Sequence, residues 1–165
     1  MTPSGGVIDR TSDRDDDALV VSSREPEEVS VLLVDDDDVD VMAVKRAFRK
    51  AKIANPLYVA RDGVEGLAML RGQEGHETVP RPYIIILDLN MPRMDGFEFL
   101  GELRKDPKHH NAVVFVLTTS QADEDRAASY DMNVAGYIVK SDVGEGFLSV
   151  TNLLDSYWRV VLLPQ

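Results

Sequence analysis

The chain contains no cysteine, which excludes disulfides, thiolate zinc sites and a cysteine nucleophile. It also lacks a basic excess: 18 Lys and Arg face 29 Asp and Glu, for a formal net charge of −11. That balance argues against nucleic acid or an anionic membrane surface as partner. No apolar run approaches the roughly 20 residues of a membrane span. The N-terminus has no basic segment, and its one apolar run, Ala18-Leu19-Val20-Val21, is too short for a signal peptide. Gly63-x-x-Gly66 and Gly144-x-Gly146 lack the lysine and hydroxyl of a phosphate-binding loop, which excludes a kinase of that type. His76, His109 and His110 have no acidic partner at ligand spacing and read as surface histidines of loops. These absences leave a soluble, acidic, cytoplasmic protein of 165 residues, 44% hydrophobic, long enough to bury a core unaided.

Two zones are visible. Residues 1–29 carry eight acidic and three basic side chains and little apolar surface. So little burial cannot offset the entropy of ordering, and the segment reads as a disordered acidic tail. From Ser30 to Gln165 the pattern alternates. Val31-Leu32-Leu33-Val34, Leu57-Tyr58-Val59-Ala60, Tyr83-Ile84-Ile85-Ile86-Leu87, Val113 to Leu117 and Tyr137-Ile138-Val139 read as five buried strands. Helical spacing of apolar residues covers Asp37 to Ala51, a stretch opened by Asp62-Gly63, Asp95 to Lys105, Ala122 to Asp131 and Val143 to Trp158. Strands that are apolar on both faces, each followed by a helix, predict one doubly wound α/β domain. Its five-stranded parallel sheet has helices on both sides, and the entirely apolar third strand is central.

Ligands in such sheets sit at the carboxyl ends of the strands. There the sequence places Asp35-Asp36-Asp37-Asp38, Asp88, Thr118-Thr119-Ser120 and Lys140-Ser141. Converging carboxylates repel one another unless a hard cation neutralises them, and oxygen ligands alone select Mg²⁺. The ammonium of Lys140 and the hydroxyl of Thr118 then match the charge and hydrogen-bonding needs of a phosphoryl group. Asp37 and Asp38 have a second reading as caps of the first helix.

Val31 to Asp36, the run Asp88-Leu89-Asn90-Met91-Pro92-Arg93-Met94-Asp95-Gly96, Thr118 and Tyr137-Ile138-Val139-Lys140 together resemble the response-regulator receiver domain of two-component signalling. The resemblance spans Ser30 to Pro164. It implies a (βα)5 flavodoxin-like three-layer sandwich that accepts a phosphoryl group from a sensor histidine kinase. Asp88 would be the phosphoacceptor. Asp36 would ligate Mg²⁺ directly, Asp35 would act mainly through water, and Asn90 would offer its backbone carbonyl. Lys140 would pair with the phosphoryl oxygens, Thr118 would move toward them, and Tyr137 would change rotamer. In-line attack puts the kinase over the rim, so docking is expected at Val39, Asp40 and Ala43 on the exposed face of the first helix and at Ser141.

One departure stands out: most receivers follow the lysine with proline, and here the residue is Ser141. The C-terminal segment also holds more apolar residues than one core face needs. Trp158, Val160, Leu162 and Leu163 point to a homodimer. That ending, Lys140-Ser141 and the long 71–82 loop resemble single-domain regulators of phytochrome-type histidine kinases; chemotaxis-like or phosphorelay regulators are the alternative subfamily. No output domain is expected. Among other classes, a haloacid-dehalogenase-type phosphatase would need an acid where Asn90 stands. A non-phosphorylating interaction module would not need the set Asp35, Asp36, Asp88, Thr118 and Lys140.

Overall fold

The computed structural model describes residues 28–118 and 131–139, without the side chains of Thr118 and Val139. The elements run β1 (Ser30–Val34), α1 (Asp38–Lys50), β2 (Leu57–Ala60), α2 (Gly63–Arg71), β3 (Tyr83–Asp88), α3 (Gly96–Lys105), β4 (Val113–Thr118) and β5 (Gly136–Val139). The helices expected over 122–131 and 143–158 lie outside the described residues, apart from Asp131, which is in a turn.

All five strands are parallel and form one sheet in the order β2-β1-β3-β4-β5. β3 is central, as its unbroken apolar composition predicts. Strand residues alternate between two cores. Leu32, Val34, Ile85, Leu87, Val114 and Val116 face α2 and α3, where Phe99, Leu100 and Leu103 are fully buried. Val31, Leu33, Ile84, Ile86 and Leu117 face the other way, against Val41, Val44 and Phe48 of α1. A sheet covered on both faces explains why β1 and β3 carry no polar alternation. Val29, the last residue assigned to the tail, is itself buried in this second core, and its carbonyl accepts from Asn55 Nδ2 at 2.9 Å. Val29 thus packs with the domain.

Aspartates start each described helix. Asp37 accepts from the Val39 N–H, Asp62 from Glu65 and Asp95 from Glu98, at 2.8, 2.9 and 2.9 Å. Part of the acidic character at the strand ends is thus capping. The 72–82 loop leaves α2 through Gly72, whose φ of +63° suits glycine. It is tied back by Val79 N–H to the Met69 carbonyl and by Ser30 N–H to the Pro82 carbonyl. The Arg81-Pro82 peptide bond is cis, whereas Lys140-Ser141 lies outside the described residues.

Candidate functional site

Strand order reverses between β1 and β3, the switch point at which such sheets open a crevice. Register sets what stands there. Val34 pairs with Leu87, so Asp35 and Asp88 emerge side by side from adjacent strands. Asp88 pairs with Leu117, which puts Thr118 one step beyond it. Thr118 in turn pairs with Val139, the residue before Lys140. The Thr118 side chain, Lys140 and Ser141 lie outside the described residues, as do Trp158, Val160, Leu162 and Leu163.

Asp35 is inaccessible to solvent and Asp88 is 3% exposed. Asp35 Oδ1 accepts from the Asp37 N–H at 2.9 Å, and Asp88 Oδ1 from the Asn90 N–H at 3.3 Å. Asn90 and Asp36 are exposed. The loop after β3 lies tight on the strand end. A Cβ on Gly96 would sit 2.6 Å from the Asp88 carbonyl oxygen, and the Gly96 N–H donates to the Leu89 carbonyl at 2.9 Å. The same loop is held from the far side by Arg93, at φ +63°, whose Nε donates to Asp62 Oδ2 at 2.7 Å. Arg61 forms an ion pair with Asp38 across the neighbouring rim.

A third acid joins the pair. One carboxylate oxygen each of Asp35, Asp40 and Asp88 lies within 4.8 Å of the other two. The structure corrects the expected position of Asp40 beside Val39 and Ala43 on an exposed docking face. It is 9% exposed, because it shares the inward stripe of α1 with Val44, Ala47 and Phe48. That spacing of four, seven and eight residues is the signal in the sequence that identifies it. Val39, at 71% exposure, does face solvent, joined by Met42, while Ala43 is half-buried. Asp36 is not one of the three converging carboxylates. Tyr137 is half-buried against the core on the α2 and α3 side.

The histidines divide. His76 and His110 are exposed, but His109 is 6% exposed, with Nδ1 2.6 Å from the Tyr83 hydroxyl. This corrects its reading as a surface histidine; Tyr83 lies 26 residues away, beyond any local pattern. The pair sits at the opposite edge of the sheet, where β3 begins. A cavity of about 320 Å³ there is lined by Arg71, Arg81, Asp106, Lys108 and His109, away from the acidic trio. Burial, with Asp106 adding to it, pushes the Tyr83 phenol up to about 12, against the charge of Arg81. No helix among the described residues is long and apolar enough to cross a membrane.

Residues 31–147 match the response regulator receiver domain. The chain is similar to the response regulator Rcp1 of Synechocystis sp. (strain PCC 6803), at 36% identity over 135 residues, covering 81% of this chain and 92% of that protein. The crystal structure of the Mn²⁺-bound form of Rcp1 superposes with a TM-score of 0.71 over 84% of this chain and 99% of that one. The phosphorylated cyanobacterial phytochrome response regulator RcpA, 32% identical, gives 0.73 over 82% and 98%.

Proposed function

Because the chain belongs to the response-regulator receiver family, we propose that Asp88 accepts a phosphoryl group from the phosphohistidine of a sensor histidine kinase. Receiver-domain regulators are signalling proteins, and this one resembles those that serve phytochromes. One observation supports the reading most: Asp88 ends the central strand, buried, with Asp35 beside it and Thr118 one register step away.

The close-packed, buried carboxylate oxygens of Asp35 and Asp88, with that of Asp40 within 4.8 Å of both, suit a hard divalent ion. Asp36, Asp88 and the Asn90 carbonyl would hold Mg²⁺, with Asp35 acting through water; the relative Rcp1 is known with Mn²⁺. When bound, the ion supplies positive charge that lets an anionic nucleophile meet an anionic phosphoryl group. An Asp88 carboxylate oxygen attacks phosphorus as the imidazole nitrogen leaves with the P–N electron pair, so one P–O bond replaces one P–N bond. Lys140 neutralises the phosphoryl oxygens, Thr118 donates to them, and Tyr137 changes rotamer in response. Val39 and Ala43 of α1, with Ser141, form the kinase-facing rim. The protein modifies only itself and is not a turnover enzyme. A cytoplasmic location, a phytochrome-type kinase, a homodimer through Trp158, Val160, Leu162 and Leu163, and no nucleic-acid or membrane partner complete the reading.

Acetyl phosphate with Mg²⁺ should add one phosphoryl group to the wild type and none to Asp88→Asn. Labelling of that variant at the wild-type level would move the acceptor elsewhere.

A further inference from the structure

The cavity of about 320 Å³ where β3 begins has no part in phosphoryl transfer to Asp88. It lies between two loops, 72–82 leading into β3 and 106–112 leading into β4. Its volume falls within the roughly 300–1,000 Å³ of small-molecule sites. In a chain of net charge −11 its walls are cationic: Arg71, Arg81 and Lys108 face a single acid, Asp106. Asp106 is engaged on both oxygens, by Arg71 Nε at 3.0 Å and by the Lys108 N–H at 2.9 Å, so it neutralises one cation of the three. Arg81 Nη2 donates to the Lys108 carbonyl and to His109 Nδ1, which are uncharged acceptors. The Lys108 ammonium makes no ion pair among the described residues. Positive charge is thus left in excess around one concave surface. Its field reaches the buried His109: burial first, then Arg81, with Arg71 and Lys108 adding to it, lowers the imidazole pKa against Asp106. Guanidinium forks match the oxygens of carboxylate and phosphate, and the Thr78 hydroxyl on the same wall is a further donor. The wall is held in place. A Cβ on Gly72 would stand 3.3 Å from Thr78 Oγ1, and the Val79 N–H is bonded to the Met69 carbonyl at 3.1 Å.

We propose that this cavity binds a small anion bearing phosphate or carboxylate groups, held by Arg71, Arg81 and Lys108 at the end of the sheet opposite Asp88. The ligand supplies the negative charge that Asp106 alone does not, and its oxygens accept from the guanidinium, ammonium and hydroxyl donors of the two loops. The site needs no metal and does not depend on the phosphoacceptor reading.

Titration of the full chain with pyrophosphate and, separately, with citrate tests this, in buffer stripped of divalent ions so that no metal sits beside Asp88. Amide magnetic resonance should show saturable shifts at Arg71, Gly72, Thr78, Arg81 and His109, with a Kd of about 1 mM or tighter for at least one probe. The tighter probe tells whether phosphate or carboxylate is the preferred group. Lys108→Glu should weaken binding at least about tenfold, because it reverses an exposed charge on the cavity wall. Lys50→Glu changes the net charge equally but lies at the end of α1, on the other face of the sheet, and should change binding less than about twofold. Lys108→Glu should still label at Asp88 with acetyl phosphate and Mg²⁺, which shows that the variant is folded. Should it not fold, Lys108→Gln is used and should weaken binding about threefold. Three results overturn the inference: neither probe saturates, the shifts map away from the two loops, or Lys50→Glu loses as much affinity as the Lys108 variant.

Discussion

His109 Nδ1 lies 2.6 Å from the Tyr83 hydroxyl and 3.1 Å from Arg81 Nη2. A guanidinium can only donate, so Nδ1 accepts, and the Tyr83 O–H donates to it as well. The imidazole is therefore neutral, with its proton on Nε2. Burial first, then the charge of Arg81, lower its pKa against the pull of Asp106. The folded protein then binds this proton less readily than the unfolded chain, so stability falls as pH drops below about 6.5. Urea midpoints should fall between about pH 7.5 and 5.5. His109→Gln should be less stable at the upper pH and should flatten the dependence. Equal slopes in variant and wild type would assign the effect to other groups. By ultraviolet titration, Tyr83 should ionise at about 12, above the ordinary phenol value of about 10.

Arg104, near the end of α3, joins three segments at once. It donates to the carbonyls of Met132, His110, Ala112 and Asn133 at 2.9, 2.8, 2.8 and 3.0 Å. The first and last precede β5, and the middle two precede β4. A planar fork with five N–H donors can meet four acceptors, and a lysine ammonium cannot. Arg104→Lys should cost about 2 kcal/mol, because at least one partly buried carbonyl loses its partner. Chemical denaturation measures the loss, and a cost near zero would mean that water replaces the guanidinium. Nothing in Asp95 to Lys105 hints at this role, since all four acceptors are backbone groups and carry no residue signature. The elements themselves were legible. Unbroken apolar runs marked β1 and β3 as doubly covered, and the Asp residues before Val39, Gly63 and Gly96 marked helix starts. So were the positions of Asp35 and Asp88, because strand ends and topology fix them. Asp40 follows the solvent-facing Val39 in the chain but lies on the stripe of Val44 and Phe48, so adjacency misleads where the helical period does not. The burial of His109 leaves no local signal, because its partner comes from a distant strand.

The molecule carries a net charge of −11, and phosphorylation makes it more negative. Under the proposed function the signal is read as a change of contact surface. The proposed dimer gives that a measure, since a tenfold change in dimer affinity needs only about 1.4 kcal/mol. Truncation after Tyr157, or Leu162→Asp with Leu163→Asp, should give a monomer by light scattering that still labels at Asp88. A wild type that is monomeric at high micromolar concentration, with and without a phosphoryl mimic, would refute the dimer. The order β2-β1-β3-β4-β5 has a consequence during synthesis. β1 is made first, yet Ser30 must pair with Tyr83, and the sheet has no hairpin to seed it. At about 5–20 residues per second the first strand waits several seconds on the ribosome for its inner neighbour. For that interval Val31-Leu32-Leu33-Val34, later sealed on both faces, must be kept from other nascent chains.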